Sequence, residues 1–146
     1  MTDARREAFI DAPVEVVWGL VSDVERHPEW WPRVVEVGGD EFREGSRYRQ
    51  VTKAAVGHDE TTLEIEQLED FEQLSIRCLN TGTYVSFVLT KAQDGTFVDT
   101  RMGMDPIGLR NRMFDAVAGR RYFNSWLADT VTALGDAARK RRADAA

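Results

Sequence analysis

The sequence predicts an α+β fold: one strand, two short helices, six further strands and a long C-terminal helix. Three observations predict it. Phe9 to Pro32 passes from extended to helical spacing across Pro13 and ends in the aromatic corner Trp30-Trp31-Pro32. From Arg33 to Met104 polar and apolar residues alternate between turn signals, the period of strands with one buried face. Beyond Asp105-Pro106 apolar residues recur at helical spacing to about Arg139.

The first strand is expected over about Arg5 to Asp11. Pro13 then opens a helix to about Ser22, since a first-turn proline wastes no amide hydrogen. Val14, Val17, Trp18 and Val21 share one face of that helix, and a short turn follows over His27 to Trp31. Arg33 to Val37 is the second strand, stopped by Gly38-Gly39. In Gly45 to Ala55, Tyr48, Gln50 and Thr52 point one way and Arg47, Arg49 and Lys53 the other. After a turn at Val56 to Asp59, Thr61, Leu63 and Ile65 face inward while Glu60, Thr62, Glu64 and Glu66 face water. Leu74, Ile76 and Cys78 mark the fifth strand, ended by Asn80-Thr81-Gly82.

Asp94-Gly95 is a hairpin signal. A two-residue loop there pairs Gln93 with Thr96 and Phe87 with Met102. It also sets Val85, Phe87 and Leu89 on one face with Val98, Thr100, Met102 and Met104. A loop one residue longer would turn Ser86 and Val88 inward instead, so the first register is preferred. In the last helix Leu109, Met113, Ala116, Val117, Leu127, Val131 and Leu134 form a stripe with Phe123 beside it, and Arg120 and Asn124 fall on it. The only extensive apolar surface against which this helix can pack is the inner face of the strands.

The 146 residues suit a single domain, residues 1–146. A net charge of −6 argues against sequence-independent nucleic-acid binding. The basic run Arg139-Lys140-Arg141-Arg142 reads as favourable charge at a helix C-terminus. No apolar run approaches the ~20 residues of a membrane span, and MTDARREAF is charged where a secretion signal needs an apolar stretch. With one cysteine, Cys78, a cytoplasmic location is expected. A monomer or weak homodimer is expected as well. Two scattered histidines and one cysteine make no metal spacing, and nothing calls for a cofactor.

Ile10-Asp11-Ala12-Pro13, then Val16 or Val17 with Trp18, then Trp30-Trp31-Pro32, resembles the opening of the SRPBCC or START-like superfamily. The branch it is most similar to is the polyketide cyclase/dehydrase and lipid-transport branch. The resemblance implies a helix-grip fold, in which a curved seven-stranded antiparallel sheet wraps around the long C-terminal helix and leaves a cavity between them. It also implies binding of a small hydrophobic or aromatic molecule, by a carrier or sensor. The alternative it implies is an enzyme, a cyclase or dehydrase acting on a polyketide-like substrate, with Tyr48 and Arg120 as acid–base and anion-holding groups.

Burying so many polar groups without partners is costly. Tyr48, Gln50, Thr52, Thr61, Thr100, Arg120 and Asn124 therefore either satisfy one another or line a pocket, unless Arg120 reaches solvent. The expected apolar lining is Trp18, Trp30, Leu63, Ile65, Phe87, Met102, Met104, Met113, Val117 and Phe123, each equally at home in a plain core. His27 and His58 are not placed inside by the pattern, and Asp99 and Arg101 read as an outward cross-strand pair. A protein-interaction module would need a large exposed apolar patch, which nothing in the sequence calls for.

Overall fold

A computed structural model describes residues 1–54 and 56–145. Strand β1 (Thr2–Ile10) leads into helix α1 (Val14–Ser22) and a 3-10 turn (Val24–Glu29). Six strands follow: β2 (Val34–Gly38), β3 (Arg47–Lys53), β4 (His58–Glu69), β5 (Gln73–Cys78), β6 (Thr83–Ala92) and β7 (Gly95–Met104). The chain ends in α2 (Gly108–Phe114), a π turn (Asp115–Gly119) and α3 (Arg120–Ala145).

All seven strands form one antiparallel sheet in the order β1-β7-β6-β5-β4-β3-β2. Consecutive strands are neighbours except β1, which returns beside β7. The curved sheet carries α3 on its inner face, which is the helix-grip fold. Bulges at Val34/Glu36 and Ile65/Gln67 add local bend to β2 and β4.

Alternation placed the strand faces correctly. Val85, Phe87 and Leu89 are buried with Val98, Thr100, Met102 and Met104. The hairpin register differs from the expected one. Ala92 pairs with Gly95, so the loop is Gln93-Asp94, Phe87 lies opposite Thr100, and Val85 lies opposite Met102. Gly95 belongs to β7, where a Cβ would collide with the Ile10 carbonyl and the Phe9 ring. The glycine serves close approach of β1 rather than the turn. Because the slip is two residues, every side chain keeps its face.

The last helix departs more from expectation. From Phe123 onward α3 buries Trp126, Leu127, Thr130, Val131, Leu134 and Ala138 against β1, β7 and α1. The π turn carries more residues per turn than an α-helix and rotates everything before it out of phase. As a result α2 buries none of its side chains. Leu109, Met113 and Val117 are 73%, 60% and 87% exposed, and Ala116, Arg120 and Asn124 also face solvent. Within α3 the buried face is centred nearer Phe123, Thr130 and Leu134, which leaves Arg120 and Asn124 to one side. Gly119 seats the π turn on β1. A Cβ there would strike the Asp115 carboxylate and the Thr2 hydroxyl, while the Thr2 amide donates to both Asp115 oxygens at 3.1 Å.

Asp99 pairs with Arg5 of β1, not with Arg101, through two guanidinium bonds of 2.9 and 2.7 Å. In the terminal basic run, Arg139 pairs with Asp136 and Arg142 with Asp11. No helix among the described residues is long and apolar enough to cross a membrane.

Candidate functional site

The Trp30-Trp31 corner decides where the interior is filled and where it opens. The two indoles stack at 5.6 Å with an 11° interplanar angle. Trp31 Nε1 donates to Thr130 Oγ1 at 2.9 Å, and Trp126 Nε1 donates to the Pro32 carbonyl at 2.9 Å. These two bonds fasten α3 to the corner. Beyond them the sheet and α3 diverge, and an inner chamber of about 120 Å³ remains between Trp31, Trp126, Gln50, Leu63, Cys78 and Met102. It opens past Thr52, Asp59, Thr61, Thr83 and Tyr122 into a vestibule of about 940 Å³, rimmed by Arg33, Lys53, Arg110 and Phe114. Pockets that hold drug-sized molecules run to about 300–1,000 Å³, so a ligand of that size would lie in the vestibule with one end in the chamber.

The chamber is apolar with few placed polar atoms. Gln50 Nε2 donates to Thr52 Oγ1 at 3.2 Å, while Gln50 Oε1, 5% exposed as a residue, has no partner among the described residues. Thr61 lies directly across from Gln50 on β4. Thr81 and Thr83 share a hydroxyl bond of 2.8 Å at the opposite wall. Tyr84 gives its phenol proton to Asp3 at 2.6 Å, and burial and that carboxylate push its pKa upward.

Arg33 shapes the rim. Its backbone sits in the left-handed region at φ 72°, unusual for a residue with a Cβ, and its carbonyl accepts the Lys53 amide at 2.7 Å. Its guanidinium lies over the rings of Tyr122 and Trp126, 5.3 and 5.8 Å from their centroids. Asp129, at 3.6 Å, offsets its charge in part.

Of the residues expected to line a pocket, the structure brings together Gln50, Leu63 and Met102 in the chamber, and Met104 and Phe123 at the vestibule. Trp18, Ile65 and Phe87 are solid core away from the opening. Trp30 lines a separate surface cleft beside α1. Met113, Val117, Arg120 and Asn124 are exposed and line neither space, for the reason of helix phase given above. Tyr48 is buried beside Phe42, outside the cavity, its hydroxyl has no partner among the described residues, and burial raises its phenol far above the ordinary value.

His27, which the pattern did not place inside, is fully buried. Nε2 donates to the Val21 carbonyl at 2.8 Å, the Trp30 and Trp31 rings enclose it, and burial pushes its pKa down to about 4. It is a structural, neutral imidazole. His58 is exposed at the start of β4. The described residues contain no group of three or more metal-ligating side chains. Trp31, Tyr122, Trp126 and Arg33 were not singled out as pocket residues from sequence. Only the Trp-Trp-Pro corner carried a signal.

The profile described as Polyketide cyclase / dehydrase and lipid transport matches residues 1–139. The chain belongs to that family. Among curated proteins none matches the sequence. Of solved structures, protein NE0264 from Nitrosomonas europaea is similar at a TM-score of 0.74 and 15% identity, over 97% of this chain and 96% of that one. The Zhui aromatase/cyclase from Streptomyces sp. R1128 is similar at 0.71 and 15%, over 96% and 94%. The di-domain aromatase/cyclase StfQ of the steffimycin biosynthetic pathway is similar at 0.72 and 15%, over 97% of this chain and 50% of that one. At these identities the likeness shows the fold alone. For this member of the polyketide cyclase/dehydrase and lipid transport family, membership supports ligand binding or polyketide processing in general terms.

Proposed function

We propose that the chain, acting as one START-like unit, binds a small hydrophobic or aromatic molecule between the sheet and α3, as a carrier or sensor. The observation that carries this reading is Gln50 Oε1, a buried carbonyl oxygen without a donor among the described residues, in a mostly apolar chamber. Leaving such an acceptor unpaired costs about 1–3 kcal/mol, which a ligand hydroxyl, or water when the site is empty, would recover. The aromatic wall of Trp31, Tyr122 and Trp126, whose rings meet edge-on or tilted, suits a flat ring. The bound molecule would thus be mostly apolar, with at least one hydroxyl at its inner end. We place the protein in the cytoplasm, as a monomer or weak homodimer.

The family's description also supports a cyclase or dehydrase acting on a polyketide-like substrate. The two groups assigned to that chemistry do not meet. Tyr48 is sealed in the core, and Arg120 lies on the solvent side of α3. Ligand binding is therefore the reading the geometry supports best.

Native mass spectrometry of the purified protein and thermal-shift screening against fatty acids, flavonoids and polyketides test it. A hydroxylated aromatic ligand should raise the melting temperature. Gln50→Leu should weaken that ligand by about 2- to 12-fold, the equivalent of one charge-free hydrogen bond, without loss of fold stability. A protein that no such compound stabilises, and that carries no co-purifying small molecule, would refute the reading.

A further inference from the structure

The rotation imposed by the π turn leaves an apolar row on the surface. Leu109, Met113 and Val117 lie four residues apart, and Ile107, 50% exposed, precedes them. Flanking this row are Arg110, Arg112, Arg120 and Arg121, all exposed. Among the described residues none of the four forms an ion pair, whereas Arg139 and Arg142 at the other end of the same helix do. The segment's one carboxylate, Asp115, is buried and turned toward β1, where the Met1 amino group and the Thr2 amide engage it. In a chain of net charge −6, this stretch is a positive, apolar-centred surface. It sits at the vestibule, because Arg110, Asn111 and Phe114 form part of the rim.

We propose that residues 107–121 are a docking surface for an anionic lipid bilayer, which brings the mouth of the cavity to the membrane interface. An exposed apolar row flanked by arginines is the pattern of an interfacial helix: the row enters the headgroup boundary and the arginines meet anionic lipid. A protein partner would be expected to need a complementary acidic surface, and a second copy of this acidic chain would have to bring its own four arginines against these. Charge complementarity therefore favours the bilayer. The proposal concerns where the vestibule opens and does not depend on which molecule the cavity holds.

Co-sedimentation with vesicles tests it, using the full chain and no added cavity ligand. Vesicles of phosphatidylcholine with about a third phosphatidylserine should bind the protein, and pure phosphatidylcholine should bind it far less. Arg112→Gln should lower the partition coefficient about fivefold, the effect of about one surface charge, and raised salt should act in the same direction. Leu109→Asp, at a 73% exposed position where folding is not at stake, should also abolish most binding, and circular dichroism would verify the fold of both variants. Absence of binding to the anionic vesicles at low salt overturns the proposal. So does binding that Leu109→Asp leaves unchanged, or a dimer in sedimentation equilibrium that Leu109→Asp dissociates, which would make the surface an interface between copies.

Discussion

The C-terminal helix contrasts with itself. From Leu127 to Ala138 it is packed solid: Leu127, Thr130, Leu134 and Ala138 are at most 1% exposed and rest on β1, β7 and α1. From Gly108 to Arg121 the same continuous rod exposes Leu109, Met113 and Val117 and roofs an open vestibule. One end holds the fold together and the other leaves space. The device that separates them is local: a π turn, a glycine that lets it touch β1, and two indole hydrogen bonds at the boundary.

The largest expected effect lies at the packed end. Leu134→Ala removes a fully buried side chain from a region with no adjoining space, and should destabilise the protein by about 3–5 kcal/mol. Met102→Ala, equally buried but on the chamber wall, should lie nearer 2 kcal/mol, because the site already opens toward solvent. Urea denaturation midpoints of the two variants measure this directly. Equal losses would mean that the two ends do not differ in packing.

An intermediate effect belongs to the boundary itself. His27 is buried as the neutral imidazole, with its pKa lowered to about 4 by burial against an unfolded value of 6.5. The unfolded chain takes up a proton at higher pH than the folded one, so stability is flat above about pH 6.5 and falls as pH drops toward 4. The full loss is about 3 kcal/mol, from a shift of roughly two and a half units at 1.36 kcal/mol each. Asp99 and Glu29, held low by their arginine partners, begin to lose their contribution only as pH falls toward their ordinary values. They touch the acid edge of this window and leave the fall between pH 7.5 and 5.5 to His27. Unfolding free energies at pH 7.5, 5.5 and 4.5 should trace the decline, and His27→Gln should flatten it. A profile of the wild-type protein that stays level down to pH 4.5 would show that the corner admits water around His27.

The strand faces, chamber wall included, were legible in the sequence, and the phase of the helix at its open end was not. Strand faces follow from alternation, and Leu63, Ile65, Leu74, Phe87 and Met102 are all buried as the pattern requires. Even the hairpin slip preserved them, since it moved by an even number of residues. The opening depends on interactions that a pattern of apolar spacing does not encode. Phase carried back from Leu127 and Val131 assumes 3.6 residues per turn throughout, and the π turn breaks that assumption at Asp115. Nothing in the pattern places His27 inside, yet Trp30 and Trp31 fold over it. Arg33 follows a proline in a segment that reads as a plain strand, yet its left-handed backbone, tied through the Lys53 amide, turns the guanidinium onto Tyr122 and Trp126.

The smallest expected effect sharpens the comparison most. Met113→Asp places a charge on α2 at a position 60% exposed, where no packing is lost. Surface changes of this kind stay within about 0.5 kcal/mol, and the poorer helix propensity of aspartate adds a few tenths at most. The same substitution logic applied to Leu127, 1% exposed, would bury an unpaired carboxylate and unfold the domain. Thermal unfolding of Met113→Asp should therefore overlay that of the wild-type protein within a few degrees. If it fell by much more, α2 in solution would have to swing inward and cover the vestibule with Leu109, Met113 and Val117. The open end would then be a closed one that its ligand must displace, and the contrast along the helix would become a contrast between two states of the same segment.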